Sequence, residues 1–96
     1  MRTTEFYAPV IHHGFLYFDM GLPKRDDTLP RRSSMYGSED ELRQDVIRRL
    51  DNKAEKVRER IQNTGMGGIS MYQSQLDHIN DVKANFSVAK VTVEVL

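Results

Sequence analysis

The chain has 96 residues, enough for one domain with a thin core, and its 14 Lys plus Arg balance 14 Asp plus Glu; without a basic excess, a dedicated nucleic-acid or membrane-surface binder is disfavoured. There is no cysteine, which excludes a disulfide framework, a thiolate nucleophile and a cysteine-based zinc site. No basic segment leading into an apolar run opens the chain, and no apolar stretch nears the roughly 20 residues that span a bilayer, so a cytoplasmic protein with no membrane contact is expected.

Residues 5–20 hold five of the eight aromatics, Phe6, Tyr7, Phe15, Tyr17 and Phe18, interleaved with Val10, Ile11 and Leu16. That composition favours strands. Pro9 cannot donate to a sheet ladder, so the first strand is expected at an edge or with a bulge, and His13-Gly14 suits a tight turn between two short strands.

From 21 to 37 the apolar period dissolves. Two prolines, two glycines and no repeat predict an irregular loop of about 17 residues, a length that in small domains signals function or disorder. The segment is locally basic, with Lys24, Arg25, Arg31 and Arg32 against Asp26 and Asp27. Together with Tyr36, these four residues form the candidate partner-binding set, suited to an acidic protein surface or to phosphates. Arg31-Arg32-Ser33-Ser34 also resembles a basic-directed phosphorylation site, a pattern short enough to arise by chance.

A long helix follows over 38–65. Ser38 and Glu41 stand at capping-box spacing, Leu42, Val46, Leu50, Ala54, Val57 and Ile61 recur at steps of three or four, and Gly65 can end the helix in the left-handed conformation. Between 38 and 63 seven basic residues match seven acidic ones, many at i,i+3 or i,i+4, which describes a solvated scaffold face. Gly65-Met66-Gly67-Gly68 reads as a helix stop and hinge. It resembles a phosphate cradle only superficially, because no strand precedes it and no Gly-Lys-Ser/Thr is present. A second helix runs to about Lys83 on Tyr72, Leu76, Ile79 and Val82, with a short strand over 69–74 as the rival. The closing segment alternates strictly, Ala89, Val91, Val93 and Val95 against Lys90, Thr92 and Glu94, and predicts a strand with one buried and one wet face.

The expected fold is one α+β domain over 1–96, in the order β-β-α-α-β: a small antiparallel sheet of the N-terminal hairpin and the C-terminal strand, packed on one long and one shorter helix. No Ser/His/Asp order and no paired carboxylates in apolar surroundings emerge, so no catalytic, cofactor or metal residue is assigned. The expected function is a small protein-binding accessory or regulatory protein, an inhibitor, adaptor or assembly factor, with a homodimer through a sheet edge as one form. One alternative is RNA or DNA binding through the basic loop 24–36. Another is a small enzyme around His12, His13 and His78; adjacent histidines on a strand point to opposite faces, so a metal would need ligands such as His78 or Asp77 from elsewhere.

Overall fold

A 3.6-residue apolar period over one long segment and aromatic-rich alternation at the start produce two layers, a helical pair on one face of a four-stranded sheet. The computed structural model describes residues 2–65 and 68–95. In chain order the elements are β1 (Arg2–Ile11), β2 (Gly14–Asp19), β3 (Leu22–Asp26), a 3-10 turn (Arg32–Ser34), α1 (Glu39–Asn63), α2 (Ile69–Asn85) and β4 (Ser87–Val95). The sheet is antiparallel, in the order β3-β2-β1-β4.

The fold is α+β as expected, with three N-terminal strands instead of a hairpin, so the order is β-β-β-α-α-β. The added strand, β3, falls within the predicted loop 21–37. Its sequence Leu-Pro-Lys-Arg-Asp carries no apolar alternation. What makes it a strand is the turn before it: Met20 and Gly21 both have positive φ (53° and 84°), the geometry of a two-residue hairpin turn whose twist matches the flanking strands. Pairing then runs from Asp19 with Leu22 to Phe15 with Asp26. The first hairpin turns likewise at His12-His13, φ 49° and 66°, one residue earlier than expected.

Pro9 sits in a central strand, not at an edge, and the register explains why. In an antiparallel ladder the N–H and C=O of one residue point to the same side, and successive residues alternate sides. Tyr7 exchanges both its main-chain bonds with Tyr36, each at 2.8 Å, and β1 pairs with β2 only at Val10 and Ile11. Pro9 faces the gap between those two contacts, where no donor is called for.

The Ser38 hydroxyl accepts from the Glu41 amide at 3.2 Å, so the predicted cap opens α1. The helix ends at Thr64 in extended backbone (φ −102°, ψ 138°), and Gly65 does not adopt the left-handed conformation. Residues 69–74 begin α2, which resolves the helix-or-strand alternative, and α2 continues to Asn85. The glycine run read as a stop and hinge falls partly on residues 66 and 67, outside the described residues. Leu42, Val46, Leu50, Ala54 and Val57 of α1 and Leu76, Ile79 and Val82 of α2 bury against Ile11 and Leu16, with Tyr7, Phe18, Phe86 and Val88 at the margin. Each leucine, isoleucine or valine among them removed from water contributes about 1.5–3 kcal/mol.

β4 alternates as predicted, with Ala89, Val91 and Val93 half-buried and Lys90, Thr92 and Glu94 exposed. Val91 and Val93, however, face away from the helices; the side chain of Val95 lies outside the described residues. Val88 packs on the core beside Pro9, whereas Val91 stands opposite Phe6 and Val93 opposite Thr4 on the other face of the sheet. The segment between β3 and α1 runs over that outer face, where Arg32 and Met35 approach Thr4, Phe6 and Val93. The molecule is long, 58 × 23 × 20 Å with a radius of gyration of 15.5 Å, against roughly 12–13 Å for a compact domain of this length.

Candidate functional site

The outer half of the β1–β4 ribbon is an exposed edge of the sheet. Arg2, Thr3, Thr4 and Glu5 are exposed, and none of Thr3–Phe6 or Ala89–Glu94 belongs to the core among the described residues. β4 is the last strand of the sheet. Because Tyr7 spends its main-chain groups on Tyr36, the bonded β1–β4 pairs are Thr4 with Val93, Phe6 with Val91 and Ala8 with Ala89. The N–H and C=O of Lys90, Thr92 and Glu94 therefore point out of the sheet edge. Such a row of main-chain groups is a template for another strand. Lys90 lies 3.1 Å from Glu5, whose carboxylate holds the ammonium above its ordinary pKa. Glu94 has no ion partner within 4 Å among the described residues.

Of the five residues assigned to partner binding, Lys24 and Arg31 both adjoin Tyr17, and the five do not gather as one set. Lys24 and Arg25 alternate faces of β3, and each is paired: Lys24 with Asp19 at 3.5 Å, Arg25 with Asp27 at 3.0 Å and with the His12 carbonyl at 2.8 Å. Arg31 is 3.3 Å from Asp26 and stacks over the Tyr17 ring at 4.6 Å. The Thr28 hydroxyl and amide, then Arg31, keep the Asp26 carboxyl below its usual range. Arg32 lies over the valine face. Tyr36 turns inward, its hydroxyl donating to Asp45 of α1 at 2.5 Å. Burial first, then this carboxylate, push the tyrosine up to about 12. Burial acts to raise Asp45 too, but the bonds from Tyr36 and Arg48 and the charges of Arg49 and Arg48 outweigh it and lower the carboxyl. The segment is thus a tied strap, with its charges largely answered from within.

The histidines separate. His12 Nε2 is 3.2 Å from Asp81 of α2, and this ring bond, with the Asn85 amide, holds Asp81 below the usual carboxylate range. His78 Nε2 donates to the Pro23 carbonyl at 3.0 Å. His13 occupies the turn. Among the described residues no three His, Cys, Asp or Glu side chains gather to hold a metal ion.

One charged surface escaped the count of seven against seven. Arg49, Lys53, Lys56 and Arg60 are spaced 4-3-4, which at 100° per residue puts them within about 60° of arc on α1. The first three line a shallow depression of about 270 Å³ with Phe18, Gly21 and Asn52. Arg49 is held by Asp45 at 3.0 Å and over the Phe18 ring at 5.3 Å. Lys53, Lys56 and Arg60 have no ion partner within 4 Å among the described residues. Burial, then the charges of Arg60 and Lys56, lower the Lys53 ammonium below its ordinary value. The spacing that reveals this stripe was present in the sequence; totals of opposite charge concealed it.

Comparison with known proteins finds no matching family, no matching characterised protein and no matching solved structure. Among the described residues no helix is long and apolar enough to cross a membrane.

Proposed function

We propose that the chain is a small protein-binding accessory module that takes a protein strand on the free edge of β4. The observation that carries this is the ribbon itself: Lys90, Thr92 and Glu94 present main-chain donors and acceptors along the last edge of the sheet, outside the hydrophobic core among the described residues. Strand addition draws affinity from main-chain bonds and specificity from the alternating side chains. The test is capture from the native cell with the wild-type chain and Thr92→Pro in parallel. Thr92 donates away from β1, so proline there removes an edge donor and leaves the β1–β4 bonds in place. A partner held by the wild type and lost with Thr92→Pro supports the proposal; capture unaffected by the proline refutes it.

A second reading rests on the stripe Arg49, Lys53, Lys56 and Arg60, which suits a phosphate backbone better than the strapped loop 24–36 does. It predicts nucleic-acid binding whose logarithm falls with the logarithm of salt, with slope about 0.7–0.9 per phosphate contacted. Absence of any binding at about 50 mM salt removes it.

A further inference from the structure

The β4 edge is complementary to itself in one register. A two-fold axis perpendicular to the sheet keeps each side chain on its own face, so residues i and j that meet across an antiparallel β4–β4 pair must have the same parity. The axis then passes midway between the two copies of a single residue. Centred on Lys90 or on Glu94, it opposes like charges, which is destabilising in a sheet. Centred on Val91 or Val93, it sets each charge against an uncharged neighbour. Centred on Thr92, it places Lys90 of each copy opposite Glu94 of the other, and Val91 opposite Val93 on the outer face.

We propose that the partner of this edge is a second copy of the chain, joined β4 to β4 about a two-fold axis midway between the two Thr92 residues. The proposal rests on the edge reading above and deepens it by naming the occupant. Three observations carry it. Lys90, Thr92 and Glu94, the residues that meet or face one another in this register, are the ones whose main-chain groups point out of the edge. Glu94 lacks an ion partner among the described residues, and a second copy's Lys90, bridging from its own Glu5, supplies one. On the outer face, Phe6 and Val91 continue into the second copy's Val93, so a half-covered apolar row extends across three strands and, by symmetry, does so twice. Pairing the β1 edge, Thr3 and Glu5, with a second copy's β4 is heterologous and leaves both outer edges free to propagate, whereas the β4–β4 pair is isologous and closes.

The experiment is sedimentation of the full chain from about 1 to 500 µM. The wild type is expected to dimerise. Glu94→Lys opposes two lysines at both symmetric contacts and is expected to raise the dimer dissociation constant about tenfold or more. Lys90→Glu does the same, and circular dichroism of this variant checks the ribbon, because Lys90 also meets Glu5. The decisive arm mixes the two single variants: one copy then carries two acids and the other two lysines, and both contacts become attractive, so a heterodimer forms where neither variant dimerises alone. A wild type that is monomeric throughout, or two single variants that do not recombine, overturns self-pairing. Either result leaves the edge reading to the Thr92→Pro capture. A Thr92→Pro chain that dimerises as the wild type does and captures the same partners overturns the edge reading, and self-pairing with it.

Discussion

Replacing Tyr36 by phenylalanine isolates the bond that ties the strap to α1. The hydroxyl donates to the Asp45 carboxylate at 2.5 Å, and bonds to a charged group contribute about 1.5–3 kcal/mol. Half-exposure of the ring lets water replace part of that, which brings the expected loss to about 1–2 kcal/mol. The tyrosine's rise from 10 to about 12 corresponds to about 2.7 kcal/mol between protonation states; burial is its first cause and the Asp45 bond its second, so after screening of a half-exposed group the bond accounts for only part of it. The lowered Asp45 carboxyl is the same interaction viewed from its other end and adds nothing further. For a domain of this length, 1 kcal/mol moves Tm by about 4–8 °C. Because the folded state raises the tyrosine, its contribution is fully present below pH 10 and is lost as pH rises from 10 through 12. Urea unfolding of wild type and Tyr36→Phe at pH 7, repeated across pH 9–12, reads both effects. The variant should be less stable at pH 7, and the gap should close toward pH 12. Equal stability at pH 7 together with equal alkaline slopes would refute the assignment.

Gly14→Ala drives a methyl group into Arg25 Cγ and Cδ and into Asp27 Oδ1, so it should cost about 1–3 kcal/mol. The loss should shrink in an Arg25→Ala background, as denaturant midpoints will show. Asp26, Asp45 and Asp81 all have lowered carboxyl pKa values. Their stabilisation is present above the usual carboxylate range and is lost as pH falls through the lowered values, so an acid titration by circular dichroism should lose stability below about pH 4. Lys53 is lowered by burial and by Arg60 and Lys56, so its charged form opposes folding at neutral pH and the opposition lifts as pH rises through the lowered value. Lys53→Gln is expected to leave Tm unchanged or raise it; a fall in Tm would contradict the crowding of like charges.

Much of the architecture was legible because it is local. The cap at Ser38, the stripe from Leu42 to Ile61 and the alternation of β4 are each written in consecutive residues. What stayed hidden depends on pairing across distance. Leu22–Asp26 becomes a strand through the Met20-Gly21 turn and the β2 backbone, so its side chains do not announce it. Pro9 looked like an edge or bulge residue because nothing local reveals that Tyr36 ends the pairing beside it. The alternation of β4 predicted one buried face but not which layer covers it, since the strap over Phe6 and Val93 is irregular backbone. The histidines and the basic loop drew attention by residue type, yet ring and guanidinium bonds to nearby carboxylates and carbonyls occupy most of them. The stripe from Arg49 to Arg60 was readable as spacing and was masked by the balance of charge.

The most direct test of the β4 edge as a docking surface is site-resolved amide hydrogen exchange along that strand, dilute against concentrated and with or without a captured partner. Val91 and Val93 already bond to β1 and should be protected throughout. Lys90, Thr92 and Glu94 should exchange freely in the isolated chain and gain protection together on assembly. If assembly leaves those three amides unprotected and protects the Arg49 to Arg60 face of α1 instead, the edge is not the binding surface.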